Sequence, residues 1–204
     1  IEKGKKYTVL EACELVKKTA TAKFDESIDI TFNLNIDPKQ ADQQLRGTIV
    51  LPHGNGKSVR VLAITDKATE AKEAGADFVG QQDMLDKIQK ESWFGFDVIV
   101  ATPNMMGLLG RMGRVLGPKG LMPNPKSGTV TPDIGNAIKE IKNGKISYRN
   151  DKDGNLAINF GKASFDANKL ADNLNAVIET INKIRPSSVK GAYILSATVS
   201  STYG

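Results

Sequence analysis

Few residues in this chain are of a type that does covalent chemistry, and they are not spaced to act together. His53 is the sole histidine and Cys13 the sole cysteine. Zinc sites and Ser–His–Asp triads need several such groups to converge, so His53, set just before Gly54, reads as a turn residue or an RNA contact. Cys13 shares a helical apolar stripe with Val9, Ala12 and Val16, which favours a core thiol over a reactive one. Gly110, Gly113 and Gly117 are spaced G-x-x-G-x-x-x-G, which is not the dinucleotide fingerprint. Gly117-Pro-Lys-Gly120 is not a phosphate loop. Gly56-Lys57-Ser58 has that loop's ending but lacks its earlier glycine, and a strand follows it instead of a helix. Asp25 and Glu26 are neighbours that a strand or loop sends apart, so they read as a solvated face. Asp151 and Asp153 fit an Asx turn better than a calcium loop. No catalytic residue, metal or cofactor is expected.

The elements that carry these residues follow from periodicity. Thr8 three positions before Glu11 is a capping box, which predicts a helix over 8–19. Residues 27–36 alternate strictly, with Ile28, Ile30, Phe32, Leu34 and Ile36 on one side and Asp29, Thr31, Asn33 and Asn35 on the other, which predicts a half-buried strand. A second strand is expected over 47–51. Residues 58–65 are nearly all apolar, as in a strand buried on both faces. Helices over 67–74 and 84–91 and strands over 77–79 and 97–101 alternate with it, implying a small doubly wound α/β unit. Residues 107–132 read as a long Gly/Pro/basic loop, followed by a helix over 133–142. Strand 155–160, helix 166–184 and strand 192–202 complete the chain, the last with Tyr193, Leu195, Ala197 and Val199 on its apolar side.

Binding leaves more trace than catalysis. The non-apolar faces of strands 27–36, 155–160 and 192–202 are rich in Ser, Thr and Asn, among them Ser27, Thr31, Ser196, Thr198, Ser200 and Thr202. Small hydroxyls and amides approach sugar 2′-hydroxyls and phosphates closely. Lys23, Lys39, Arg149, Lys152 and Lys162 lie nearby in sequence to neutralise phosphates. An ordinary exposed sheet explains the same pattern equally well. Arg111, Arg114, Lys119 and Lys126 concentrate charge in the glycine loop, either as a secondary contact or as a mobile solvated loop. The net charge of +5 points only mildly to a polyanionic partner. It does not choose a half, since residues 57–145 carry +3 and the remainder +2. The chain begins at Ile1 and not Met, and is read as trimmed. No apolar run reaches the roughly 18–20 residues that span a bilayer, no signal peptide is visible, and a lone cysteine suits a reducing cytoplasm.

The organisation expected is mixed α/β and α+β. A discontinuous sheet domain built from both chain ends (1–56 and 146–204) carries an inserted α/β domain (57–145), with Gly54, Gly56 and Gly144 as the hinge. Saturable ATP or GTP binding would favour the alternative, a nucleotide-binding enzyme on the inserted unit. Absence of salt-dependent RNA affinity would favour a protein-binding scaffold.

Several strings carry a resemblance: Thr21-Ala-Lys-Phe24-Asp-Glu, Asp42-Gln-Gln-Leu-Arg-Gly47, Leu51-Pro-His-Gly54, the run from Gly113 to Lys126, Gly128-Thr-Val-Thr131, Tyr148-Arg-Asn-Asp151 and Gly161-Lys162. Together they resemble the bacterial L-one family of large ribosomal subunit proteins, over essentially the whole chain. The resemblance implies an RNA-binding first domain, a Rossmann-like second domain and no enzymatic activity. It also implies large-subunit ribosomal RNA at the mobile stalk as partner, with exit-site tRNA passing by, and repression of the protein's own operon mRNA. The protein is then expected on cytoplasmic ribosomes, and as a monomer when free. The family's RNA contacts map to Lys23, Phe24, Ser196 and Thr202-Tyr203-Gly204. The family ends that motif in Thr-Met-Gly, so Tyr203 is a departure expected to alter fine contacts and not to abolish binding.

Overall fold

A computed structural model describes residues 5–204. Ile1, on which the reading of a trimmed start rests, lies outside them. Along the chain the elements are α1 (Val9–Thr19), β1 (Ser27–Leu34), β2 (Arg46–Val50), β3 (Val61–Ile64), α2 (Ala68–Glu73), β4 (Phe78–Gly80) and α3 (Gln82–Glu91). Then come β5 (Val98–Ala101), α4 (Met106–Arg111), α5 (Gly113–Leu116), α6 (Ile134–Lys142), β6 (Lys145–Arg149), β7 (Asn155–Lys162), α7 (Ala167–Lys183) and β8 (Ile194–Ser201). The chain is thus mixed α/β, and it separates into two compact units, Ile1–Lys57 with Gly144–Gly204, and Ser58–Asn143.

In the unit made from both chain ends, β1 lies between β7 and β8, antiparallel to each. Its alternation does what period two requires. Ile28, Ile30, Phe32 and Leu34 are buried in a core shared with Val16 of α1 and Leu170, Leu174, Val177 and Ile181 of α7. The opposite face is left polar. Helix α1 starts where the capping box places it: Thr8 Oγ1 accepts from the Glu11 N–H at 3.4 Å, and the Glu11 carboxylate accepts from the Thr8 N–H at 2.8 Å. A separate two-stranded ladder pairs β2 with β6. Strand β6 had no counterpart in the sequence reading, although Ile146 and Tyr148 alternate there.

The second unit is a parallel sheet in the order β4-β3-β5. Val61, Leu62, Ala63 and Ile64 are all fully buried, because α2 and α6 pack on one face and α3, α4 and α5 on the other. The long loop expected over 107–132 is not a loop throughout. Its first part forms α4 and α5, and Leu109, Met112 and Leu116 enter the core with 0–4 % exposure. Glycine lowers helix propensity by about 1 kcal/mol per residue. The burial of three large side chains on one stripe outweighs that cost.

The last strand corrects a second expectation. Register slips between Asn33↔Ser196 and Leu34↔Ile194, so Leu195 is the extra residue of a bulge and stands 58 % exposed. It therefore does not share the buried side with Tyr193.

Candidate nucleic-acid interface

The open face of the three-stranded sheet is a grid set by strand register. Asn155, Asn33 and Ser196 form one row, Ala157, Thr31 and Thr198 the next, then Asn159, Asp29 and Ser200. Ser27 pairs with Lys162, and Thr202 continues that last row. Thr31, Ser196 and Thr198 are exposed, so their hydroxyls are available to a ligand. The Asn33 amide donates to Asn155 Oδ1 at 2.8 Å, which orients both side chains. Asp29 and Lys162 are the charged residues in these rows.

At the Ser27 end the chain builds a clamp. Thr202 Oγ1 accepts from the Ser27 N–H at 3.1 Å and donates to the Ser27 carbonyl at 3.3 Å. The side chain thereby extends the β1–β8 ladder by one rung in place of a backbone group. Glu26 sits just before β1 with 1 % exposure. Its carboxylate accepts from the Ala22 N–H, the Ser201 hydroxyl and the Tyr203 N–H, each at 2.8 Å. These donors, the Ala22 N–H first and then the Tyr203 N–H and the Ser201 hydroxyl, hold its pKa below the ordinary 4.5 against the opposing effect of burial. A buried carboxylate needs such partners. Glu26 is therefore not the solvated residue expected from its adjacency to Asp25. Asp25 does stay exposed, accepting from the Ser164 N–H and hydroxyl at 2.9 Å each.

The clamp presents Phe24 and Tyr203. Their rings meet edge to face at 5.9 Å and 75°, and they are 53 % and 76 % exposed. Two large aromatic surfaces are thus left in solvent, and exposed rings of this kind can stack on a planar ligand. Gly204 donates its N–H to Ser201 Oγ at 3.0 Å, and a β-carbon there would stand 2.5 Å from that oxygen and 2.7 Å from the Thr19 carbonyl oxygen. Lys23 is exposed beside Phe24. Lys162 Nζ donates to the Asp25 carbonyl at 3.2 Å, which places its charge at the same end of the grid.

Lys23, Phe24, Ser27, Lys162, Thr202, Tyr203 and Gly204 thus gather around one corner. Ser196 and Thr198 lie farther along the same face, up to roughly 20 Å away at about 3.3 Å per residue. Arg111, Arg114, Lys119 and Lys126 belong to the other unit. There Arg111 closes α4, Arg114 lies in α5, Lys119 stands over the Phe94 ring at 4.2 Å, and Lys126 sits in a short 3₁₀ turn. Sequence reasoning missed Glu26 and Ser201. Parity would have found them, since Glu26 is in phase with the buried Ile28, and Ser201 is in phase with Val199 on the apolar side of the last strand.

The residues tested for catalysis stay apart. Cys13 is fully buried, and burial pushes its thiol up to about 11. His53 Nε2 lies 3.0 Å from an Asp172 carboxylate oxygen, and the His53 N–H donates to Asn173 Oδ1 at 3.0 Å. Asp151 accepts from the N–H groups of Asp153 and Asn155 at 2.9 and 2.8 Å, as an Asx turn requires. Among the described residues no group of three or more His, Cys, Asp or Glu converges as a metal site, and no helix is long and apolar enough to cross a membrane. Gly54, Gly56 and Gly144 all take positive φ (+64°, +72° and +97°), a region that L side chains rarely enter.

The ribosomal protein L1p/L10e family matches residues 16–204. The large ribosomal subunit protein uL1 of Mesoplasma florum is 55 % identical over 205 residues, covering 100 % of this chain and 90 % of that protein. The chain therefore belongs to the ribosomal protein L1p/L10e family, and as such it is a protein of the ribosome in the cytoplasm and not an enzyme.

Proposed function

We propose that the chain is a constituent of the large ribosomal subunit that holds large-subunit ribosomal RNA at the mobile stalk near the tRNA exit site. The polar grid and the corner clamp form the gripping surface. The observation that carries this is the fixing of Thr202-Tyr203-Gly204 by Glu26 and Ser201 beside the exposed Phe24. Hydroxyls and amides on the grid suit 2′-hydroxyl and phosphate contacts, and the two rings suit an unstacked base or ribose.

In this reading the unit made from both chain ends is the RNA-binding domain. The inserted unit is a Rossmann-like domain whose Arg111, Arg114, Lys119 and Lys126 make a secondary contact. Gly54, Gly56 and Gly144 form the hinge. The protein is a monomer when free. On the ribosome it assists release of deacylated tRNA, and off the ribosome the same surface represses translation of its own operon mRNA.

Filter binding to a stalk RNA fragment tests the surface. Phe24→Ala and Thr202→Val should each weaken binding by about 1–3 kcal/mol, the usual worth of one stacked base or one buried hydrogen bond. Unchanged affinity in both variants would refute it.

A further inference from the structure

The end of the strand layer opposite the clamp carries a cluster of cations. Arg46 and Arg149 are register partners across the β2–β6 ladder, directly opposite one another and both exposed. Like charges in that relation destabilise a strand pair. Among the described residues, no carboxylate pairs with Arg46, Arg149 or Lys152. The three cations line one cleft of about 330 Å³, together with Gln44, Asn150 and Asp151.

The cleft is built from fixed parts. Asn150 is 9 % exposed, and its Oδ1 accepts from the Leu45 N–H at 2.8 Å while its Nδ2 donates to the Asp151 carbonyl at 2.8 Å. Gln44 Nε2 donates to the Pro38 carbonyl at 3.1 Å. The one carboxylate in the lining, Asp151, is committed to its own turn. It accepts from the N–H groups of Asp153 and Asn155 and from the Asn155 amide, and it forms no ion pair with either arginine. Two guanidinium forks across a ladder match the oxygens of a phosphate.

We propose that this cleft is a second anchor for the RNA, in which Arg46, Arg149 and Lys152 hold a backbone phosphate. The inference rests on the RNA-binding reading above. The Asp151 turn is tied to Asn155, which pairs with Asn33 on β1, while the clamp is tied to Ser27. Six residues of strand separate the two rows, or roughly 20 Å. One RNA lying along the grid meets a stacking corner at one end and a phosphate grip at the other.

The test is filter binding of the stalk fragment between about 50 and about 200 mM salt. It compares the wild type with R46Q/R149Q, K90Q/K183Q and T202V. Each lost phosphate contact flattens the slope of log K against log salt by about one, so R46Q/R149Q should flatten it by about one. K90Q/K183Q removes equal charge from two ion-paired helix positions and should leave the slope alone, and T202V should weaken binding at unchanged slope. R46Q/R149Q should also melt no lower than the wild type, since it relieves a like-charge pair. If T202V weakens binding while R46Q/R149Q keeps the wild-type slope, the anchor is refuted and the RNA reading stands. If K90Q/K183Q flattens the slope equally, the effect is diffuse charge and the anchor is again refuted. Tight binding of inorganic phosphate alone by calorimetry would make the cleft a free-anion site and overturn the proposal. Absence of salt-dependent binding by the wild type would overturn both readings.

Discussion

The Ser201 hydroxyl donates to the Glu26 carboxylate at 2.8 Å, across 175 positions of chain. The same carboxylate takes the N–H of Tyr203. One buried acid thus joins the loop before the central strand to the last residues of the chain, and so decides where Phe24, Thr202 and Tyr203 stand. Glu26 shapes this corner from beneath, while Lys23, Phe24, Asp25, Thr202 and Tyr203 face solvent.

Replacing Glu26 by Gln tests that dependence. An amide offers one acceptor oxygen and adds two donors, so it cannot serve the three donors that the carboxylate accepts from. Glu26→Gln should lower affinity for a stalk RNA fragment about tenfold or more while circular dichroism stays unchanged. An unchanged affinity would show that the terminal residues are positioned by other means.

The Glu26 pKa also predicts a pH dependence. The native value lies below 4.5, so the stabilisation is fully present above 4.5 and is lost as pH falls from there through the native pKa. In urea denaturation the gap between wild type and Glu26→Gln should therefore be constant from pH 7 to about pH 5.5 and shrink as pH falls below 4.5. A gap that widens on acidification would have the wrong sign for a depressed carboxylate.

Much of this architecture is legible in the sequence wherever one face alternates. Ile28 to Leu34 and the stripe Leu170, Leu174, Val177 and Ile181 were readable because burial follows a fixed period. Glu26 was not, because a charged residue at the head of a strand reads as loop unless its phase with Ile28 is followed outward. Strand β6 escaped because its pattern is short and flanked by Lys145 and Arg149, and its partner lies about 100 positions earlier. The bulge at Leu195 escaped because pairing register is a property of two strands, and one strand alone does not carry it.

The helices within the glycine-rich stretch illustrate the opposite weighting. There the glycines dominated the reading, whereas the buried stripe of Leu109, Met112 and Leu116 decides the structure. Leu116→Ala should cost about 2–5 kcal/mol, the usual loss for a fully buried leucine. Urea melts of the full chain check this, and a cost below about 0.5 kcal/mol, the range of surface substitutions, would return the segment to a solvated loop.

Gly144 makes a sharper demand on backbone. Its φ is +97°, and an added β-carbon would stand 2.5 Å from Gly54 Cα. Gly144→Ala should destabilise the chain by about 1–3 kcal/mol through backbone strain, with the contact adding to it. Gly191 also takes positive φ, but a β-carbon added there would meet nothing within 4 Å. It is the control, and its alanine variant should cost less. Equal costs would show that the close approach of Gly144 to Gly54 is unimportant.

The central claim is that one face of the sheet and its corner clamp grip RNA. Titrating uniformly ¹⁵N-labelled protein with the stalk RNA fragment and following amide shifts tests it most directly. The account predicts perturbation along Lys23–Ser27, Thr31, Asn155–Asn159 and Ser196–Gly204, with the buried amides of β3 and β5 unmoved. Shifts confined to residues 58–143, with Phe24 and Thr202 unaffected, would contradict it.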